Sequence, residues 1–356
     1  MKKKTRLVSK RSLNTTIWSM ICTITIACFY WLTLAFTNVP QPSETHPTEF
    51  YSTETQDDLR ATFIQAIDDA KSSIFLSIFS LTDQGIIKAL KQKSEEEIDV
   101  TVIYDANASE GVHRKLGNKV KAFGRKGRGL MHQKILVIDD VKSWIGSANF
   151  TPSSLRSYGN LVNGFYCPEL ALMLREKAEA MTAEGKTAVV PRRDFKINGQ
   201  TLEMWFLPDN KDAISRIKRL IQSAQKTVKV SMFTWTRHDL ADEIIKAHSR
   251  GINAQVVIDK NSGQGVSALV VELLSMNGVP VRTSQGAALL HHKFMIVDDE
   301  TLLNGSANWT KAAFTQNDDC FIILHHLTHD QQRHLRLLWE IIIADSDPVF
   351  PFVSAD

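Results

Sequence analysis

One plan occurs twice in this chain, the second time 154 positions after the first: Ala70 matches Ala224, Phe79 matches Phe233 and Asp105 matches Asp259. Each copy opens with an amphipathic helix, over Asp57–Lys71 and Lys211–Lys226. A strand follows, Ser73–Phe79 in the first copy and Val228–Phe233 in the second, then a helix, Gln84–Lys93 or Leu240–Arg250. Both then run into an apolar strand, Val100–Tyr104 or Ala254–Ile258, that ends on an aspartate. A repeat this long, alternating strands with helices, predicts two similar α/β domains and excludes a solenoid. The expected divisions are a head and apolar segment over 1–36, a linker over 37–54, a first domain over 55–190 and a second over 191–356. Pro40, Pro42 and Pro47, among many Ser and Thr, mark the linker.

Each copy closes on a cluster of polar residues set in apolar sequence. His132, Lys134, Asp139, Gly146, Ser147 and Asn149 recur as His291, Lys293, Asp298, Gly305, Ser306 and Asn308, so both fit H-x-K-x4-D-x6-G-S-x-N. Six fixed residues arise by chance roughly once in 10⁸ starts when each type has ~5% frequency. Two occurrences at equivalent places exclude coincidence.

This motif resembles that of the phospholipase D superfamily, and the resemblance runs from about residue 50 to the end of the chain. It implies two α/β domains, each a mixed sheet flanked by helices, related by a pseudo-twofold axis that brings both motifs into one cleft. It also implies a phosphodiesterase acting on phospholipid, cardiolipin or nucleic acid, or a phosphatidyl transferase, with no cofactor and no metal. By the same resemblance His132 is the nucleophile and His291 the acid. A carboxylate shortly after each G-S-x-N orients a histidine in such proteins; here Asp319 takes that position in the second copy and Asn160 in the first. A carboxylate beside one histidine only raises that imidazole's pKa, which is expected to favour His291 as the protonated group.

The residue types suit such chemistry on physical grounds. Side chains alternate along a strand, so His132 and Lys134 share a face, as do His291 and Lys293. Asp139 and Asp298, an odd number of positions further on, fall on the other face and are expected to brace the site within the catalytic set. Displacement at phosphorus spreads negative charge over the non-bridging oxygens. The two lysines, with Ser147, Asn149, Ser306 and Asn308, supply cations and donors for it. A neutral imidazole can attack phosphorus while a protonated one donates to the leaving oxygen.

Other candidates carry plainer readings. His292 is expected to pack on the opposite face. Asp105 and Asp259 end strands, either facing the cleft or capping a turn. Arg114, Lys115, Lys119, Lys121, Arg125, Lys126 and Arg128 form either a solvated face or an electropositive wall. Trp235, Trp309 and Phe150 read as core. Cys167 and Cys320 either pair in an oxidising compartment or are buried thiols.

The N-terminus decides location. Six cations precede residue 12, the first acid is Glu44, and Ile17–Phe36 carries no charge. Such a stretch is long enough to span a bilayer, with the basic head on the cytoplasmic side and the body outside. The alternative is a cleaved signal peptide and a secreted body. The formal net charge is +3 for the whole chain, so the body without its basic head is slightly acidic and unlike a nucleic-acid coat. Phospholipid is therefore the expected substrate and a membrane the expected partner, with nucleic acid as the alternative.

Overall fold

The computed structural model describes residues 18–26, 39–127, 129–182 and 189–350. Of the expected membrane segment only residues 18–26 are among them, and these are helical; the rest lies outside the described residues. Among the described residues no helix is long and apolar enough to cross a membrane.

The body, from Gln41 onward, is built on two mixed sheets. The first holds β1 (Thr48–Ser52), β2 (Ser73–Ile78), β3 (Asp99–Asp105), β4 (Lys121–Arg125), β5 (Lys134–Ile138), β6 (Lys142–Gly146) and β7 (Leu161–Tyr166), in the order β1-β7-β6-β5-β2-β3-β4. The second holds β8 (Arg193–Ile197), β9 (Gln200–Leu207), β10 (Thr227–Met232), β11 (Asn253–Ile258), β12 (Val281–Ser284), β13 (Lys293–Val297), β14 (Thr301–Gly305), β15 (Asp319–His325) and β16 (Ser346–Pro348). Its order is β16-β12-β11-β10-β13-β14-β15-β9-β8. The six strands from β7 to β4 and from β15 to β12 correspond one to one, so the repeat in sequence is a repeat in topology. In each copy two parallel strands (β2 and β3, β10 and β11) meet an antiparallel hairpin that begins at the motif lysine.

The copies differ at their edges. The stretch expected to be a linker up to residue 54 instead supplies β1, which pairs antiparallel with β7 and buries Phe50 and Tyr51. Its partner lies more than a hundred residues ahead, so Ser, Thr and Pro around a short apolar pair gave no local sign of a strand. In the second copy the hairpin β8–β9 occupies the corresponding edge beside β15.

Local chemistry sets the helix starts. Asp83 accepts from the backbone of Gly85 and Ile86, and Thr328 forms a capping box with Gln331. One apolar cluster then serves both copies. It joins Phe75, Ile135 and Val137 to Phe206, Phe294 and Ile296, with Leu170 and Leu174 from the helix Pro168–Thr182 and Leu338 and Trp339 from His329–Ala344. Each such side chain contributes about 1.5–3 kcal/mol by leaving water. A shared core therefore holds the two motifs in fixed relation. Trp235, Trp309 and Phe150 are buried as expected, and Cys167 and Cys320 are free buried thiols.

Candidate active site

The motif histidines stand just before β5 and β13, and their approach is fixed by the strand-end aspartates. Asp105 caps the turn after β3 through Asn107 and Ala108, and its second oxygen accepts from Met131 N at 3.1 Å. Asp259 does the same in the second copy, accepting from Ser262 N at 3.1 Å and Leu290 N at 3.2 Å. Each aspartate is thus a cap and an anchor for the residue preceding a motif histidine.

From there the copies exchange contacts. Met131 bridges to Asp318, and Gly159 to Leu290. His132 N donates to Asp318 O at 2.8 Å, and His291 N donates to Gly159 O at 2.9 Å. The loop after each G-S-x-N therefore lies against the histidine of the other copy, as a twofold relation requires.

That exchange corrects one expectation. Asp319 lies beside His132, not beside His291 of its own copy: its Oδ1 is 2.8 Å from His132 Nδ1. Asn160 takes His291, with Oδ1 3.1 Å from Nδ1. The sequence had placed each orienting group with the histidine of its own copy, because chain proximity does not reveal how two sheets dock. The surroundings also fix which atoms face the rings. Asn160 Nδ2 donates to the carbonyls of Ser154 (2.8 Å) and Tyr158 (3.1 Å), so Oδ1 faces His291 and Nδ1 carries the hydrogen. Both histidines thus present Nε2 for chemistry.

Charge in the site is crowded. His132, Lys134, His291 and Lys293 are all buried. Burial, then Lys134, depress the His132 pKa below the usual imidazole range, against a raising effect from Asp319. Burial and the two lysines push His291 well below it, and there no carboxylate opposes them. Burial lowers Lys134 to about 7, while burial and Lys134 lower Lys293 well below the usual amine range. Each lysine donates to the carbonyl of its own motif histidine at 2.6 Å. An anion among these groups reverses the penalty, so its binding draws protons onto the lysines. Burial opposes ionisation of Asp319, but His132, Ser306 and Lys134 outweigh it and hold the carboxyl below its ordinary value.

The remaining motif residues fall into two groups. Ser147 Oγ donates to Asn160 Oδ1 (2.8 Å) and Ser306 Oγ to Asp319 Oδ1 (2.6 Å), both fully buried, so these hydroxyls secure the orienting groups instead of facing an anion. Asn149 and Asn308 are half-buried; Asn308 Oδ1 accepts from Thr234 N, which leaves its amide hydrogens to donate elsewhere. Asp139 and Asp298 stand outside the site, beyond the far ends of β5 and β13, about 20 Å along the strand from the histidines at ~3.3 Å per residue. Each takes a left-handed turn conformation (φ 54° and 55°). Asp139 accepts from the backbone of Lys71, Ser72 and Ser73, and Asp298 from Gln225, Lys226 and Thr227. They pin the start of the neighbouring strand. Gly146 and Gly305 serve close approach, since a Cβ would come within 2.3 Å of Leu161 O or 2.4 Å of Cys320 O.

Two rings in the site were visible in the sequence only as a match in the repeat. Phe79 lies 5.0 Å from the His132 ring and Phe233 5.2 Å from the His291 ring, centroid to centroid, and each also faces its motif lysine. The basic run is partly spent on neighbours, with Lys119 on Glu97, Lys121 on Asp99 and Arg125 on Asp318. Arg128 lies outside the described residues.

The imidazoles and lysines of both motifs are thus buried together, close enough to shift one another's ionisation. Residues 63–182 and 217–339 match the family described as "Cardiolipin synthase, PLD-like domain", and the chain belongs to the phospholipase D superfamily of phosphodiesterases. A mitochondrial cardiolipin hydrolase of Xenopus tropicalis is 32% identical over 41% of this chain and 70% of its own length. Cardiolipin synthase B of Salmonella typhi is 22% identical over 78% of this chain and 76% of its own. A phosphatidylserine synthase of Haemophilus influenzae Rd KW20 shares the fold, with TM-score 0.66 and 16% identity over 89% of this chain and 91% of its own.

Proposed function

We propose that this phosphodiesterase hydrolyses phospholipid, cardiolipin foremost, through a phosphohistidine formed on His132. The observation that carries the assignment is the contact of His132 Nδ1 with the Asp319 carboxylate. Attack by Nε2 makes the ring cationic, and only His132 has a buried anion to stabilise that charge. As the N–P bond forms, the bond to the leaving oxygen breaks and His291 donates its proton to that oxygen. His291, now neutral, takes a proton from water; the hydroxide attacks phosphorus and the N–P electron pair returns to His132. Lys134 and Lys293 hold the non-bridging oxygens, with the amides of Asn149 and Asn308 as further donors.

The names of the similar proteins support a lipid substrate, and the slight acidity of the body favours a small headgroup over a long polyanion. Residues 17–36 would tether the body to a membrane, with the basic head on the cytoplasmic side. The basic run before His132 favours a second reading, an endonuclease. Mixed micelles of cardiolipin, together with single-stranded DNA and RNA, separate the two. The expected result is phosphatidic acid and phosphatidylglycerol from cardiolipin with the nucleic acids uncut; the reverse pattern replaces the lipase with a nuclease. An alkaline denaturing quench, in which the P–N bond of a phosphohistidine survives, should trap a phosphorylated chain in the wild type, and His132→Ala should remove it. A label that survives His132→Ala excludes His132 as the nucleophile.

A further inference from the structure

Next to His291 in the chain stands a buried imidazole paired with a half-buried acid that the reaction above does not use. His292 is fully buried; its Nε2 is 2.6 Å from Glu54 Oε1, and its Nδ1 has no hydrogen-bond partner. Everything polar on this side chain therefore rests on Glu54. The other Glu54 oxygen accepts from Ser52 Oγ at 2.8 Å and lies 3.0 Å from Thr53 Oγ1, whose single hydrogen it shares with Tyr158 O. Thr53 Oγ1 in turn lies 2.6 Å from Tyr158 O and accepts from Asn160 N at 3.1 Å. Between these two grips sits Gly159, where a Cβ would come to 2.3 Å from Glu54 Oε1 and 3.1 Å from His292 Nε2.

The turn Ser52–Glu54 thus contacts both the backbone that presents Asn160 and the side chain next to His291. The other half has no counterpart. Gln133 stands where His292 stands, and its Oε1 accepts from Ser77 Oγ within its own sheet. The asymmetry matches that of the orienting groups. Asn160 brings no charge to His291, so alignment is all it offers, and that alignment depends on where its backbone sits.

We propose that Glu54 is a positioning residue for His291, acting through His292 on one oxygen and through Thr53 and Asn160 on the other. The inference rests on His291 being the proton donor. Burial opposes ionisation of Glu54, but His292 and Ser52 outweigh it and lower its pKa to about 2.

Leaving-group dependence tests it. A nitrophenyl phosphodiester expels a stable anion that needs no proton, whereas an alkyl ester such as phosphatidylcholine needs the acid. Glu54→Gln is expected to lower alkyl-ester turnover about 10- to 100-fold, the usual size for a group that orients a reacting one. The pre-steady-state burst of nitrophenol should stay within about twofold of wild type, because that step bypasses the acid. Gly159→Ala, which displaces Glu54 without removing its charge, should give the same split. Equal losses on both substrates, or no loss on either, overturn the proposal. His291→Ala is the control. If His291→Ala separates the substrates and the Glu54 and Gly159 variants do not, only this inference falls. If none of them does, the acid role of His291 falls and takes the inference with it.

Discussion

His132 and His291 occupy equivalent places in equivalent strands, yet one is held by a carboxylate and the other by an amide. Much around them repeats: the lysine on its histidine's carbonyl, the phenylalanine beside the ring, the serine on the orienting group, the aspartate two strands away. In the proposed reaction a symmetric frame brings two imidazoles to one phosphorus, and the chemistry needs them in opposite protonation states. The difference of one residue type at Asp319 and Asn160 supplies that asymmetry. On the proposed mechanism it lets His132 carry the positive charge of a covalent adduct and leaves His291, once protonated, a stronger acid than a carboxylate-paired imidazole would be.

The surroundings prevent the two orienting groups from being interchanged. Asp319 Oδ2 lies 3.3 Å from Asn317 Nδ2, a donor, whereas Asn160 Nδ2 faces two carbonyls. An amide at 319 meets a donor with its own donor and is driven to turn its NH2 toward His132, which forces the unreactive tautomer. Asp319→Asn should therefore show the largest effect, slowing formation of the phosphorylated chain on the order of 10³–10⁴-fold, the scale of tautomer errors in acyl-transfer triads; rapid-quench labelling measures it. A loss under tenfold would mean that the carboxylate is not what distinguishes His132.

Asn160→Asp sharpens the comparison from the other side. A carboxylate near His291 favours its charged form and raises its pKa. The acid must be protonated, so turnover falls as pH rises through that pKa, and the fall should move to higher pH in the variant. The new oxygen also faces the Ser154 and Tyr158 carbonyls, so stability should drop by about 1–3 kcal/mol. An unmoved pH profile would remove His291 from the proton-transfer step.

The smallest expected effect on chemistry belongs to the motif aspartates. Asp139→Ala and Asp298→Ala each remove an acceptor of several backbone hydrogen bonds and should cost about 1–3 kcal/mol in urea unfolding. Per folded molecule, kcat should stay within about twofold of wild type, since neither carboxylate approaches the site and distant sites act independently. A large kcat loss at full folding would show that these turns transmit strain to the histidines.

Much of this was legible in the residues. Periodicity and the repeat located the strands β2, β3, β10 and β11 and the helices beside them, because alternation and amphipathic spacing act within a few residues. The same local logic put His132 and Lys134 together, whereas the motif aspartates, expected on the opposite face, stand beyond the strand ends in left-handed turns. It failed where partners are far apart in the chain. The strand β1 hid in a stretch that looked like linker, Ser147 and Ser306 looked like phosphate ligands before their acceptors were visible, and Asp319 was assigned to the nearer histidine.

The sequence by itself determined that there are two copies, which residues fill the motif in each, and that only one copy brings a carboxylate. The tertiary structure alone decided which histidine receives it and what stands behind the other. Those contacts join residues 187 and 238 positions apart, through loops that cross between sheets docked on a shared core. Spacing along a strand fixes the face on which a side chain emerges, but only the docking of whole sheets fixes what that face meets.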